Sequence, residues 1–203
     1  MRARMALWIS NQVCELREVV LRQKPAELLA LSAKGTVPVL VDPKGQVYQE
    51  SLDIMLWALE RHDPQGWLQP EAGTLAALLA WIEPWDHQFK FHLDRYKYAY
   101  RYEGVEAVTH RGEASTYLDQ LNSQLQDSPY LFGNRICLAD VAIAPFIRQF
   151  SQVDLTWFNS QPWLQVNAWL ASILESTLFT QTMEKYPQWK SGTPGSLFPP
   201  SKA

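Results

Sequence analysis

Apolar and polar positions along the chain change from a strand-like to a helical pattern near residue 50. Residues 37–41 are almost all apolar, and residues 46–49 form a second short run beyond the turn-forming segment 42–45. Two such runs around a turn are typical of a β-hairpin. Four apolar residues then recur at helical spacing: Leu52, Met55, Leu56 and Leu59. With Ser51 as its N-cap, this pattern predicts a helix directly after the hairpin.

The segments before the hairpin also alternate between helix and strand. Residues 1–10 are predicted to form a helix, and residues 13–20 alternate as a half-buried strand does. Pro25 suits the first turn of a short helix that continues to Leu31. Residues 1–62 are therefore predicted to be an α/β domain.

Beyond residue 67 the pattern is helical throughout. Thr74 is predicted to cap a helix that Pro84 bends, and three further helices are predicted over residues 113–125, 138–150 and 163–174. The tail from Lys190 is rich in Gly, Pro and Ser, which predicts a loop. The fold class is thus α/β plus all-α, with residues 67–203 as the helical domain.

Composition narrows the range of functions. The chain has 203 residues, 47% of them apolar, and a formal net charge of −3, without a basic block that would suit a nucleic acid. No apolar run approaches the roughly 20 residues of a membrane span. Cys14 and Cys137 form neither a disulfide framework nor a metal-binding motif. We therefore expect a cytoplasmic protein that binds no metal.

Glu50 and Ser51 carry candidate binding chemistry. A helix N-terminus presents free N–H groups and a positive dipole end, which suit a carboxylate. The Ser51 hydroxyl adds a hydrogen-bonding group, and the Glu50 carboxylate can accept from an ammonium, so the pair suits the charged groups of an amino acid. The alternative is that Ser51 only caps the helix.

Pro38 is unusual in a predicted strand because proline cannot donate to a sheet ladder. Its peptide bond with Val37 is either an ordinary trans bond at a strand start or a cis bond, and about 5–6% of bonds before proline are cis.

Residues 34–60, with Val37-Pro38 and Glu50-Ser51 in this order and spacing, resemble the second half of the thioredoxin-like domain of glutathione transferases. The helical pattern downstream is similar to the second domain of that superfamily. The resemblance is strongest to omega-like or bacterial members that carry a Cys-Pro-Tyr-Ala segment before a stretch like Met-Arg-Ala-Arg. It implies a cis Val37–Pro38 bond and a catalytic residue upstream of Met1, on a segment whose strand is absent here.

The resemblance also implies a set of ligands and site residues. The expected ligands are glutathione, as co-substrate, and a small hydrophobic electrophile; a homodimer is a further expectation. Glutathione would bind at Val37, Pro38, Glu50 and Ser51, with Lys34 near its glycine carboxylate. The electrophile would bind in an aromatic pocket that includes Trp81, Trp85 and Phe89, although ordinary helix packing is the alternative for each of these rings.

Two further features bear on the fold and the chemistry. Residues 133–140 are similar to a capping-box motif of the superfamily in which Cys137 replaces the usual Ser or Thr, so we expect a less well satisfied helix start and a structural Asp140. Cys14 lies in a predicted strand beside Glu15, which favours a structural thiol over a nucleophile.

The expected function is therefore conjugation of glutathione to an electrophile or reduction of a glutathionyl adduct. The alternatives are a non-catalytic binding or scaffold protein with the same fold, and a truncated form of a longer enzyme.

Overall fold

The computed structural model describes residues 1–200 and contains two compact units. Of the described residues, the first unit contains Met1–Gln65 and 177–200, and the second is Gly66–Ser176. The C-terminal segment therefore packs with the first unit, whereas the sequence assigned it to the helical domain.

Helices and strands are mixed in the first part of the chain, and the second part contains helices. Up to Gln65 they are α1 (Arg2–Ile9), β1 (Cys14–Leu16), α2 (Ala26–Leu31), β2 (Leu40–Val41), β3 (Val47–Tyr48) and α3 (Ser51–Arg61). The helical unit contains α4 (Leu75–Pro84), α5 (Lys90–Lys97), α6 (Ala107–Gln124), α7 (Leu138–Ser151), α8 (Leu155–Ser160) and α9 (Leu164–Leu174). The chain returns to the first unit with α10 (Thr177–Thr182) and β4 (Ser196–Phe198). These elements confirm the predicted fold class.

The strands form two separate antiparallel pairs. β2 pairs with β3, with Leu40 opposite Tyr48, and this is the predicted hairpin. β1 pairs with β4, with Cys14 opposite Phe198. The tail that was predicted to be a loop thus contains a strand, because its backbone pairs with a segment far away in the sequence.

Helix α1 packs against α3 in the first unit. The apolar stripe of α3 supplies buried residues to this contact, among them Ile54, Met55 and Leu59, and α1 supplies Met5 and Ala6. Burial of an apolar side chain of this size stabilises a fold by about 1.5–3 kcal/mol, so the α1–α3 contact fixes the start of α3 in place.

In the helical unit, Thr74 caps α4 by accepting from the N–H of Ala77 at 3.2 Å, as predicted. Pro84 ends the regular part of this helix, and a π-helical turn, Trp85–Phe89, joins it to α5. Helix α7 is buried along nearly its whole length and forms the centre of the unit.

Among residues 1–200, none of the helices combines the length and apolar character that a membrane-spanning helix requires.

Candidate functional site

The start of α3 brings two predicted site residues together. Ser51 is the first helical residue and Glu50 is the N-cap, one position earlier than the sequence indicated. The Glu50 side chain makes no capping hydrogen bond to the helix backbone. The Ser51 hydroxyl and the Glu50 carboxylate each contact a basic side chain, that of Arg2 and that of Lys34.

Arg2 is the partner of Ser51. Its guanidinium Nη1 donates to the hydroxyl oxygen of Ser51 at 3.3 Å, and the Arg2 residue is only 7% exposed. The contact follows from the packing of α1 against α3. Arg2 was not predicted as a site residue, because an arginine at the start of a predicted helix gives no signal of burial.

Lys34 is the partner of Glu50. Its ammonium nitrogen Nζ lies 2.8 Å from Oε1 of Glu50, and both side chains are about two-thirds exposed (65% and 64%). The hydrogen bond to Glu50, followed by the carboxylate's charge, raises the pKa of Lys34. Lys34 thus pairs with the Glu50 carboxylate, the group that the sequence predicted to accept from a ligand's ammonium.

The Val37–Pro38 peptide bond is cis, as the resemblance implied. Val37 is 47% exposed. Within residues 1–200, neither the N–H nor the C=O of Val37 makes a hydrogen bond to another protein backbone group. Both groups are available to pair with the backbone of a peptide-like ligand.

An open depression of about 760 Å³ lies on the side of β3 and α3. Lys34 and Glu50 stand at its edge, whereas Val37, Pro38 and Ser51 do not line it. Its other walls are Gln46, Val47, Tyr48, Gln49, Asp53, Leu56, Trp57, Glu60 and Arg61. The depression is therefore adjacent to the candidate site but distinct from most of it.

Trp85 and Phe89 lie in the core of the helical unit. They are 2% and 0% exposed, and their ring centroids are 4.9 Å apart. Both contact the ring of Tyr117. The π-helical turn directs both rings inward, where they pack within the helical unit. Helix packing is the alternative that the sequence left open for them, and their place in an electrophile pocket stays a prediction. Trp81 is only half-buried.

Asp140 organises the start of α7. Its carboxylate accepts hydrogen bonds from the backbone N–H groups of Leu131 (3.0 Å) and Cys137 (2.9 Å), and from Nε1 of Trp169 (2.8 Å). The Cys137 thiol also donates to it, at 3.1 Å. Both arms of the capping box are present: the Cys137 side chain accepts from the backbone N–H of Asp140, and the Asp140 carboxylate accepts from that of Cys137. The helix start is therefore better satisfied than expected. Burial raises the pKa of Asp140, and its role is structural.

Neither cysteine has the environment of a reactive thiol. Burial raises the pKa of Cys14 to about 11, although the charge of Arg4 acts in the opposite direction. Burial also raises the pKa of Cys137, and the neighbouring Asp140 adds to the effect. Since the thiolate is the nucleophile, both side chains are unreactive near neutral pH.

Comparison with protein-family models and solved structures agrees with this fold. The glutathione S-transferase N-terminal domain matches residues 1–66, and the C-terminal domain of the same family matches residues 99–176. The bacterial transferase BphK, in a ternary complex, superimposes with a TM-score of 0.75 at 19% identity, over 89% of this chain and 91% of its own. A transferase from Methylococcus capsulatus gives 0.73 at 22% identity, over 90% and 91%.

Among curated proteins the chain is similar to eukaryotic translation elongation factor 1 epsilon-1. The Mus musculus protein is 25% identical over 158 residues, which cover 78% of this chain and 81% of that protein. The Homo sapiens protein is 34% identical over 74 residues, which cover 36% and 42%. Both domain models and the superimposed structures lead to the same assignment: the chain belongs to the glutathione S-transferase superfamily.

Proposed function

We propose that this protein binds glutathione at the start of α3. The ligand's γ-glutamyl α-carboxylate binds to the Ser51 hydroxyl and to the first N–H groups of the helix. Its ammonium binds to the Glu50 carboxylate. The N–H and C=O of Val37 pair with the backbone of the cysteinyl residue.

The Arg2–Ser51 contact is the observation that carries this proposal. The guanidinium of Arg2, a residue that is 7% exposed, and the positive end of an eleven-residue helix meet at the same hydroxyl group. Two positive features in one place favour an anion, and hydrogen bonds to a charged group are about twice as strong as those between neutral groups. A carboxylate is therefore the group that this position suits best.

The proposed reaction is transfer of the glutathione thiol to a small hydrophobic electrophile or reduction of a glutathionyl adduct, in the cytoplasm, where thiols stay reduced. Such a reaction requires a group that stabilises the glutathione thiolate, and one positioned group is typically worth about 10²–10³-fold in rate. The two thiols of this chain have raised pKa values and do not supply it.

A non-catalytic binding or scaffold role is the second candidate function. It is supported by the similarity to elongation factor 1 epsilon-1, whose name places it with a translation factor, and by the unreactive thiols. The two candidates share glutathione recognition and differ in turnover. We expect the 203-residue chain to bind glutathione but to conjugate it to 1-chloro-2,4-dinitrobenzene only slightly faster than buffer does.

Calorimetric titration with glutathione tests the proposed site. Ser51→Ala should weaken binding by about 2–10-fold, the cost of one hydrogen bond. Ser123→Ala is the matched control, because this exposed helical serine makes only a local bond to the carbonyl of Asp119. Equal affinity of the wild type and Ser51→Ala would remove the α3 site from the proposal.

A further inference from the structure

The Glu50 carboxylate is already paired with a cation of the protein itself. Nζ of Lys34 lies 2.8 Å from Oε1 of Glu50, at the distance of a charge-assisted hydrogen bond. In the proposed function the ligand's ammonium binds to the same carboxylate. Lysine and a ligand's α-amino group offer the same chemistry, an ammonium with three N–H donors. The two cations therefore compete for one acceptor.

The position of Lys34 allows such an exchange. Lys34 precedes Gly35 on the segment between α2 and β2, and its side chain is 65% exposed. The pair is not held by burial, since Glu50 is 64% exposed as well. Exposed ion pairs contribute little to stability, so a ligand can displace this one at a small cost.

We propose that Lys34 is an intramolecular placeholder for the ligand's ammonium, released when a γ-glutamyl ligand binds at Glu50. This inference rests on the proposed function and adds a specificity rule to it. While Lys34 is present, the ligand's amino group gains little at Glu50, because it replaces one ammonium by another. The site of the wild-type protein is thus selective mainly for the α-carboxylate and only weakly for the α-amino group.

The inference is tested by a cycle of two ligands and two proteins. The ligands are glutathione and its analogue with a glutaryl group in place of the γ-glutamyl group, which lacks only the α-amino group. The proteins are the wild type and Lys34→Met, each titrated calorimetrically. The quantity of interest is the ratio of the two dissociation constants, analogue over glutathione.

We expect this ratio to rise by about 2–5-fold in Lys34→Met, the equivalent of one exposed ion pair. The increase should come from tighter binding of glutathione. Lys34→Arg restores a cation that can reach Glu50 and should keep the ratio near that of the wild type. Lys44→Met removes a lysine from the turn between β2 and β3 and should also leave the ratio unchanged.

Two results would overturn the placeholder. An unchanged ratio in Lys34→Met would show that Lys34 and the amino group do not compete. A similar loss of affinity for both ligands would show that Lys34 binds the ligand directly, as in its expected role at the glycine carboxylate. These outcomes differ from failure of the proposed function, in which the wild-type protein and all variants show no heat of binding with glutathione.

Discussion

The guanidinium of Arg2 reaches across from α1 and donates to the hydroxyl of Ser51 at the first residue of α3. This contact joins a buried arginine to a helix start at the proposed γ-glutamyl site. Because Ser51 accepts from this fixed donor, one lone pair and the proton of its hydroxyl remain for a ligand.

Replacing Arg2 should therefore weaken glutathione binding. In Arg2→Gln we expect a loss of about 3–10-fold in affinity, because Ser51 loses its donor and the site loses a positive charge. Arg4→Gln is the control on the same helix, since Arg4 pairs instead with Glu18 and the carbonyl of Glu184. Thermal unfolding of both variants separates lost binding from lost structure. Unchanged affinity in a folded Arg2→Gln protein would contradict the role of Arg2.

The C-terminal strand should stabilise the first unit through Phe198. This ring is fully buried and packs edge-on against Trp8, with centroids 5.8 Å apart. Phe198→Ala should lower the free energy of unfolding by about 3–5 kcal/mol and expose the amides of β1 to hydrogen exchange. Leu197→Ala is the control at the neighbouring position. Because Leu197 is 51% exposed, this substitution should lower the free energy of unfolding by less than about 0.5 kcal/mol. Equal stabilities would mean that β4 contributes little to the fold.

The features that the sequence predicted correctly are those encoded locally. Thr74 caps its helix and the apolar repeat of α3 faces the core, because both follow from spacings within a few residues. The pairing of Cys14 with Phe198 is a long-range contact in a Gly- and Pro-rich tail, where local pattern indicates a loop.

At the candidate site, too, local motifs were predicted and long-range contacts were not. Val37-Pro38 and Glu50-Ser51 were found from their motifs. The Arg2 and Lys34 contacts were not, since each joins residues that only the tertiary fold brings together. Trp85 and Phe89 were assigned to a pocket because aromatic composition does not reveal which way a π-helical turn directs its side chains.

Asp140 should be important for stability and not for binding. Asp140→Ala leaves the N–H groups of Leu131, Cys137 and Trp169 without their acceptor, and each buried unsatisfied group costs about 1–3 kcal/mol. We expect a loss of more than about 3 kcal/mol in the free energy of unfolding. Asp119→Ala is the comparison, because Asp119 also accepts from an indole, that of Trp163, but is not buried in such a network. Similar losses in the two variants would contradict the central position of Asp140.

A histidine pair between α5 and α6 should make the helical unit sensitive to acid. Nδ1 of His92 lies 2.9 Å from Nδ1 of His110, a contact in which one ring nitrogen donates to the other. Burial lowers the pKa of His92, and His110 lowers it further, with Arg95 acting in the same direction and Glu113 against it.

The sign of the pH effect follows from this direction. Because the folded pKa of His92 lies below its ordinary value of 6.5, the unfolded chain binds more protons as the pH falls through that value. Stability is therefore full above this pH and decreases below it. The midpoint of urea unfolding should decrease when the pH is lowered from 7.5 to 5.5. The decrease should be smaller in His92→Gln. His87→Gln, which alters an exposed histidine, should show the same decrease as the wild type. A pH response that is identical in all three proteins would exclude the pair as its source.

Binding of glutathione at the start of α3 can be measured residue by residue from the amide chemical shifts of the ¹⁵N-labelled protein during titration with glutathione. We expect saturable shifts concentrated at Val37 and at Glu50, Ser51 and Asp53, the residues at and just inside the start of α3. Shifts that are absent at millimolar glutathione, or that saturate elsewhere while these amides stay unchanged, would contradict it.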